Sequence, residues 1–143
     1  MSEVPALVPL VADYWSFESI AGFDPARVAT QLTRVLSEPG LGAGWVAFEE
    51  GVAVGYLLAV YVFSLEHSGL TAEIDELFVL PPQRGKGVGT ELLAIAESEF
   101  VRRGCTNVSF QMSSTNDSAR AFYRRHGYVE RSGYELLDKS LSS

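Results

Sequence analysis

The chain has 143 residues, 47% of them hydrophobic, which suits one domain over residues 1–143 with a real core and is too apolar for a disordered segment. Its formal net charge of −7 leaves few Lys and Arg, scattered over Arg84/Lys86, Arg102/Arg103 and Arg120/Arg124/Arg125, so no phosphate-neutralising surface for nucleic acid is expected. No apolar run approaches the roughly 20 residues that cross a bilayer, so no membrane association is expected.

The first residues, Met1-Ser2-Glu3-Val4-Pro5, carry no basic cluster ahead of an apolar stretch, so no secretory leader is expected. Cys105 is the single cysteine, and no internal disulfide can form. Both features fit a cytoplasmic protein.

Leu7, Leu10, Val11 and Tyr14 fall at helical spacing and predict a helix over Ala6 to Phe17, with Pro9 tolerable only in a first turn. Asp24-Pro25 reads as an N-cap with proline at the first helical position. Val28, Leu32, Val35 and Leu36 continue that second helix to Pro39-Gly40. Trp45 to Phe48 and Val52 to Phe63 flank the Glu50-Gly51 turn as a hairpin. After a polar loop at Glu66 to Gly69, Leu70 to Leu80 makes a third strand, closed by Pro81-Pro82. A helix follows to about Arg103, with Val88, Leu92, Ile95, Ala96 and Phe100 on one face and Gly104 at its C-cap. Val108 to Met112 is a strand, Asn116 or Asp117 caps a helix ending at Gly127, and Tyr128 to Val129 and Tyr134 to Leu137 read as short closing strands. This order predicts an α+β or α/β fold on a mixed sheet.

The turn Arg84-Gly85-Lys86-Gly87-Val88-Gly89 joins a strand to a helix. Alternating glycines permit positive φ and close approach of backbone to a ligand. The unpaired N–H groups and partial positive charge of a helix start make such a place a phosphate site, with Arg84 and Lys86 adding charge. A P-loop would need glycine where Leu80 stands, and the dinucleotide fingerprint would need glycine where Thr90 stands.

The run Glu73-Ile74-Asp75-Glu76-Leu77-Phe78-Val79-Leu80-Pro81-Pro82-Gln83-Arg84-Gly85-Lys86-Gly87-Val88-Gly89, followed by Leu92-Leu93, resembles the cofactor strand–turn–helix of the GNAT acetyltransferase superfamily. Asn116 to Tyr128 is similar to that superfamily's Asn-x-x-Ala-x-x-Phe-Tyr-x-x-x-Gly-Phe/Tyr signature. Together the resemblance spans about Trp45 to Leu141. It implies a mostly antiparallel mixed sheet flanked by helices, acetyl-CoA as co-substrate, and no metal. The pyrophosphate would lie on Arg84, Gly85, Lys86, Gly87, Val88 and Gly89, and the pantetheine arm along the backbone of Leu77, Phe78 and Val79 like an added strand. Asn116 would touch the cofactor arm, and Tyr123 would lie near the sulfur.

The chemistry gives these residues work. A thiolate must leave when an amine attacks the thioester, and a phenol with a pKa of about 10 can protonate it. Helical spacing alone leaves Tyr123 equally readable as a core aromatic. An amine of pKa about 10.4 costs on the order of 4–5 kcal/mol to hold neutral at pH 7. Asp75 and Glu76 are the carboxylates that could attract it and take its proton, and a solvated strand face is the alternative for each. Strict alternation puts Asp75 with Glu73, Leu77 and Val79 and Glu76 with Ile74 and Phe78, unless a bulge intervenes. The same strand is similar to that of polyamine and aminoglycoside 3-N-acetyltransferases, which implies a small cationic amine as acceptor. A catalytically idle CoA-binding or interaction module, or a peptide N-terminal acetyltransferase, is the alternative.

Tyr14, Trp15 and Phe17 fall where the resemblance implies an acceptor pocket, and core packing explains them as well. His67 and His126 lack metal-ligand spacing. Cys105 is expected as a buried structural thiol, and Ser113-Ser114 as a loop. The superfamily's first strand has no counterpart ahead of Ala6, so the edge beside Val46 to Phe48 is left open and could pair two chains as a homodimer.

Overall fold

A computed structural model describes residues 3–142. The chain divides into two compact units, one reaching to Gln111 and one starting at Met112. The first holds three helices, α1 (Val4–Phe17), α2 (Pro25–Ser37) and α3 (Val88–Arg102), and four strands, β1 (Gly42–Glu49), β2 (Val52–Ser64), β3 (Gly69–Val79) and β4 (Val108–Phe110). The second holds α4 (Asp117–Arg125).

The sheet order is β1-β2-β3-β4. The first three strands are antiparallel neighbours, and β4 runs parallel to β3. The mixed sheet flanked by helices is the fold that the sequence implies. Among the described residues no strand precedes α1, and β1 is a sheet edge.

One face of the sheet packs α1 and α2. Val4, Leu7, Leu10 and Val11 of α1 and Val28 and Leu32 of α2 form a buried cluster with Tyr56 and Phe78. Asp24 starts α2 by accepting from the Ala26 and Arg27 N–H groups at 3.1 and 3.3 Å. The close approach of α2 to β1 needs Gly42, where a Cβ would meet the Ala59 carbonyl and stand 2.6 Å from Val35 Cγ2. The other face packs α3 through Leu92, Leu93, Ala96 and Phe100. Trp45 and Tyr61 meet the Phe100 ring edge-on at 5.8 and 6.1 Å.

Four expectations need correction. The first helix begins at Val4, two residues early, so Pro9 lies in its second turn; the missing N–H leaves the Pro5 carbonyl without its helical donor. Tyr128 to Val129 and Tyr134 to Leu137 are not strands. A strand exists through its ladder, and the described residues of the second unit offer none to pair with; Val129, Tyr134, Leu136 and Leu137 are exposed. The strand expected over Val108 to Met112 stops at Phe110. Cys105 is half-buried, not buried, and that burial pushes its thiol up.

Two bulges shape the sheet. Leu58 pairs with Glu76 but Ala59 pairs with Ile74, so Asp75 is an extra residue with no partner on β2. Strict alternation along β3 therefore fails. Glu76 keeps company with Phe78 on the face of α1, while Ile74 passes to the face of α3. A second bulge leaves Val54 unpaired between Ala47↔Gly55 and Phe48↔Ala53.

Candidate active site

Two residues before Phe78 on the regular end of β3, Glu76 points its carboxylate toward α1, where two neutral donors meet it. Trp15 Nε1–H donates to Oε2 at 2.9 Å, and the Tyr56 hydroxyl donates to Oε1 at 2.7 Å. Burial raises the Glu76 carboxyl above the ordinary glutamate value. The Tyr56 and Trp15 hydrogen bonds pull it back, and the charge of Asp75 adds to the rise. Among the described residues no Lys or Arg forms an ion pair with it. Asp75 is exposed at the bulge, yet neighbouring protein crowds it enough to raise its carboxyl too.

Aromatic rings wall this carboxylate. Tyr14 meets Phe78 edge-on at 5.6 Å and Tyr56 at 6.5 Å, and Trp15 meets Phe23 at 5.7 Å. The Tyr14 phenol is pushed up to about 12, first by burial and then by the charges of Glu18, Glu76 and Asp75. Tyr56 is pushed far above the ordinary tyrosine value by burial and by the Glu76 carboxylate, so it stays a donor. Phe17 lies 6.1 Å from Phe78 and is half exposed.

Alongside this cluster, among the described residues, one edge of β3 has no strand partner past Ile74. Its pairing with β4 ends at Ile74↔Phe110, while β2 accompanies it to Val79. The Leu80 N–H donates to the Val54 carbonyl at 2.9 Å. Counting back along the antiparallel ladder, the backbone of Phe78 faces β2, and that of Leu77 and Val79 faces the open edge. Two of the three residues expected along a cofactor arm thus present amide groups outward, and Phe78 presents only its ring, to the core.

The glycine turn follows a short 3-10 stretch, Pro81–Gln83. Gly85 and Gly87 have φ of 79° and 86°, the left-handed region that favours glycine. A Cβ at either would meet nothing within 4 Å, so the backbone of the turn is open at the start of α3. Gly87 is the N-cap and has no side chain to occupy the first N–H groups, while Val88 and Gly89 are the first two helical residues. Lys86 is exposed, its Nζ 3.5 Å from Gln83 Oε1. Arg84 turns back along β3: its Nε donates to the Val79 carbonyl at 2.9 Å. Its guanidinium lies over the Phe17 and Phe78 rings at 4.7 and 5.5 Å.

In the second unit, Asn116 Oδ1 accepts from the Ala119 N–H at 3.0 Å and so caps α4, which leaves its amide nitrogen to other partners. Tyr123 is buried, with Phe122 and Tyr128 edge-on at 5.2 and 5.3 Å.

Tyr56 is a site residue to which the sequence assigns no function. Trp15 stood as an aromatic of either pocket or core, and Tyr56 only as part of an apolar strand. A tyrosine in such a strand was the available signal, because a buried phenol needs a partner.

Residues 7–128 match the acetyltransferase (GNAT) family model, a span that crosses both units. The aminoalkylphosphonate N-acetyltransferase of Salmonella typhimurium is 37% identical over 85 residues, 59% of this chain and 55% of that enzyme. The chain thus spans about half the length of that relative. An integron cassette protein from the mobile metagenome of Cole Harbour Salt Marsh superposes with a TM-score of 0.85 at 28% identity, over 99% of this chain and 86% of that one. The aminoglycoside N-acetyltransferase AAC(6')-Iy, solved with a CoA-linked bisubstrate analogue, superposes with a TM-score of 0.81 at 20% identity, over 96% and 92%. That last likeness is one of fold.

Proposed function

Because the chain belongs to the GNAT acetyltransferase family, we propose that it transfers an acetyl group from acetyl-CoA to the primary amine of a small cationic acceptor, in a ternary complex. The observation that carries the acceptor is Glu76: a carboxylate walled by aromatic rings, held by two neutral donors and without a cation of its own. An ammonium ion supplies the missing charge, and the rings favour it further. The relatives named for aminoalkylphosphonates and aminoglycosides support a small amine.

Acetyl-CoA supplies the activated acetyl thioester. The residues present suit it. The outward N–H groups of Leu77 and Val79 and the Leu77 carbonyl offer a strand edge for the pantetheine amides, and Arg84 to Gly89 offer open backbone at a helix start for the pyrophosphate. Phe78 contributes its ring below that edge, and Asn116 its amide nitrogen.

The chain's own groups then divide the reaction. Asp75 and Glu76 draw in the ammonium and take its proton. The freed amine nitrogen bonds to the thioester carbonyl carbon, and an outward N–H of β3 steadies the charge on the carbonyl oxygen. As the carbon–sulfur bond breaks, the Tyr123 hydroxyl gives its proton to the sulfur, and the second proton that the nitrogen sheds on becoming an amide returns the Tyr123 phenolate to a phenol. Residues 1–143 act as one functional domain in this reading, which the family match across both units supports. No helix among the described residues is long and apolar enough to cross a membrane, and we assign the reaction to the cytoplasm.

A screen of polyamines, aminoglycosides, aminoalkylphosphonates and amino acids for CoA-thiol release tests the proposal. Release with at least one small cationic amine is expected. Acetyl-CoA binding without release for any amine would favour an idle module, and release only with peptide N-termini would replace the acceptor.

A further inference from the structure

The contacts around Glu76 reach across the fold. Trp15 comes from α1, 61 residues away, and Tyr56 from β2, 20 residues away. Each takes a different carboxylate oxygen. Unbroken pairing from Tyr56↔Phe78 to Leu58↔Glu76 puts Glu76 on the α1 face beside Phe78, and the bulge at Asp75 sends Ile74 to the other face, so the carboxylate stands at the end of that regular run. Three separate elements therefore fix one side chain. A glutamate serving only as a solvated surface acid would need none of them.

We propose that Trp15 and Tyr56 are positioning residues: they hold the Glu76 carboxylate by both oxygens as a fixed anion facing the acceptor amine. This deepens the acetyl-transfer reading and rests on it for the amine alone; the grip on the carboxylate stands on the geometry. Each oxygen keeps a lone pair beyond the one its donor uses, so Glu76 can still accept from an ammonium. The donors are neutral, so they steady the anion without cancelling the charge that attracts the amine. The indole N–H has no acceptor capacity and cannot reverse its bond, and the Tyr56 phenol is the weaker acid of its pair. Orientation is thus set by groups that do not titrate near neutrality. The titratable groups that face Glu76 are Tyr56 on β2, Tyr14 on α1 and Asp75 beside it on β3, with Glu18 acting on Tyr14 from the end of α1. None is a cation.

The test compares Trp15→Phe and Tyr56→Phe with the parent protein. Tyr56→Phe removes one hydroxyl and keeps the ring in the core, so it guards against loss of fold, which circular dichroism checks for both. The Glu76 carboxyl is titrated directly by carbon-13 NMR, its resonance assigned with Glu76→Gln. Losing a hydrogen bond to a charged group should move the Glu76 midpoint up by about one pH unit in each variant. With an acceptor in hand, the acidic limb of kcat/KM should follow, and KM for the amine should rise while KM for acetyl-CoA holds. A midpoint that stays put in either folded variant overturns the positioning role. If the parent protein acetylates no amine, the functional reading fails, while the NMR midpoints still decide whether the two donors hold the carboxylate.

Discussion

Replacing Glu76 by Gln removes charge while keeping both hydrogen bonds. The Gln carbonyl can accept from Trp15 Nε1–H, which can only donate. The amide NH2 then faces the Tyr56 oxygen, which can turn and accept. The fold should therefore survive. The ammonium, however, loses its partner. Two unit charges about 4 Å apart at an effective dielectric constant of about 20 attract by about 4 kcal/mol, an upper scale of about a thousandfold in kcat/KM. Asp75 remains close by, so a fall of roughly a hundredfold is the working expectation. Stability should move the other way. Burial holds the Glu76 carboxyl above its unfolded value of 4.5, so the native state binds the proton more tightly than the unfolded chain does. Its contribution is greatest below that unfolded value and is lost as pH rises from there through the folded one. Near neutrality the ionised carboxylate costs stability, and Glu76→Gln should melt no lower than the parent, with a flatter dependence on pH. Thiol-release kinetics and thermal melts from pH 4 to 8 measure both. A variant that keeps kcat/KM within a few-fold, or that melts well below the parent at pH 7, would refute the assignment of Glu76 as a buried anion facing the amine.

Tyr123→Phe should lower kcat roughly a hundredfold with acetyl-CoA affinity unchanged, measured by turnover alongside calorimetric binding; unchanged turnover would return Tyr123 to the role of core aromatic. Gly87→Ala places a Cβ at φ 86° and should cost about 1–2 kcal/mol in denaturant unfolding, with a weaker Kd for acetyl-CoA as the helix start shifts. Gly42→Ala should destabilise by about 1–3 kcal/mol without touching the Kd of acetyl-CoA, because its Cβ meets Val35 and the Ala59 carbonyl where α2 packs on β1.

The strand–turn–helix around the glycines was legible in the sequence because its signals are local. The glycine spacing, the strand before it and the amphipathic α3 after it all lie between Gly69 and Arg102, and each is a short-range property. The Asp24-Pro25 start of α2 was legible for the same reason. The carboxylate's surroundings were not. Alternation assigns faces on a regular strand, and the Asp75 bulge shows only once β2 pairs with β3. Trp15 and Tyr56 find Glu76 through tertiary packing, and no spacing rule links position 15 to position 76. The two closing strands failed differently: Tyr134 to Leu137 has the apolar content of a strand but no ladder within its unit. Charge alone marks Arg84 as a phosphate flank, and only the fold shows that an acceptor carbonyl and two rings also draw its side chain toward Val79.

The free edge of β3 offers main-chain amides, and main-chain amides are the same whatever side chain hangs beside them. On the proposed reading, residues at Leu77 and Val79 could be exchanged for others of strand-forming shape and the donor would still find its ladder. The proposed acceptor wall is the opposite case, since Tyr14, Trp15, Phe17 and Glu76 would act through side chains alone. Donor and acceptor recognition would then be written in different parts of the polypeptide. Mutation can redraft the amine preference of such a protein one side chain at a time while leaving its acetyl supply untouched.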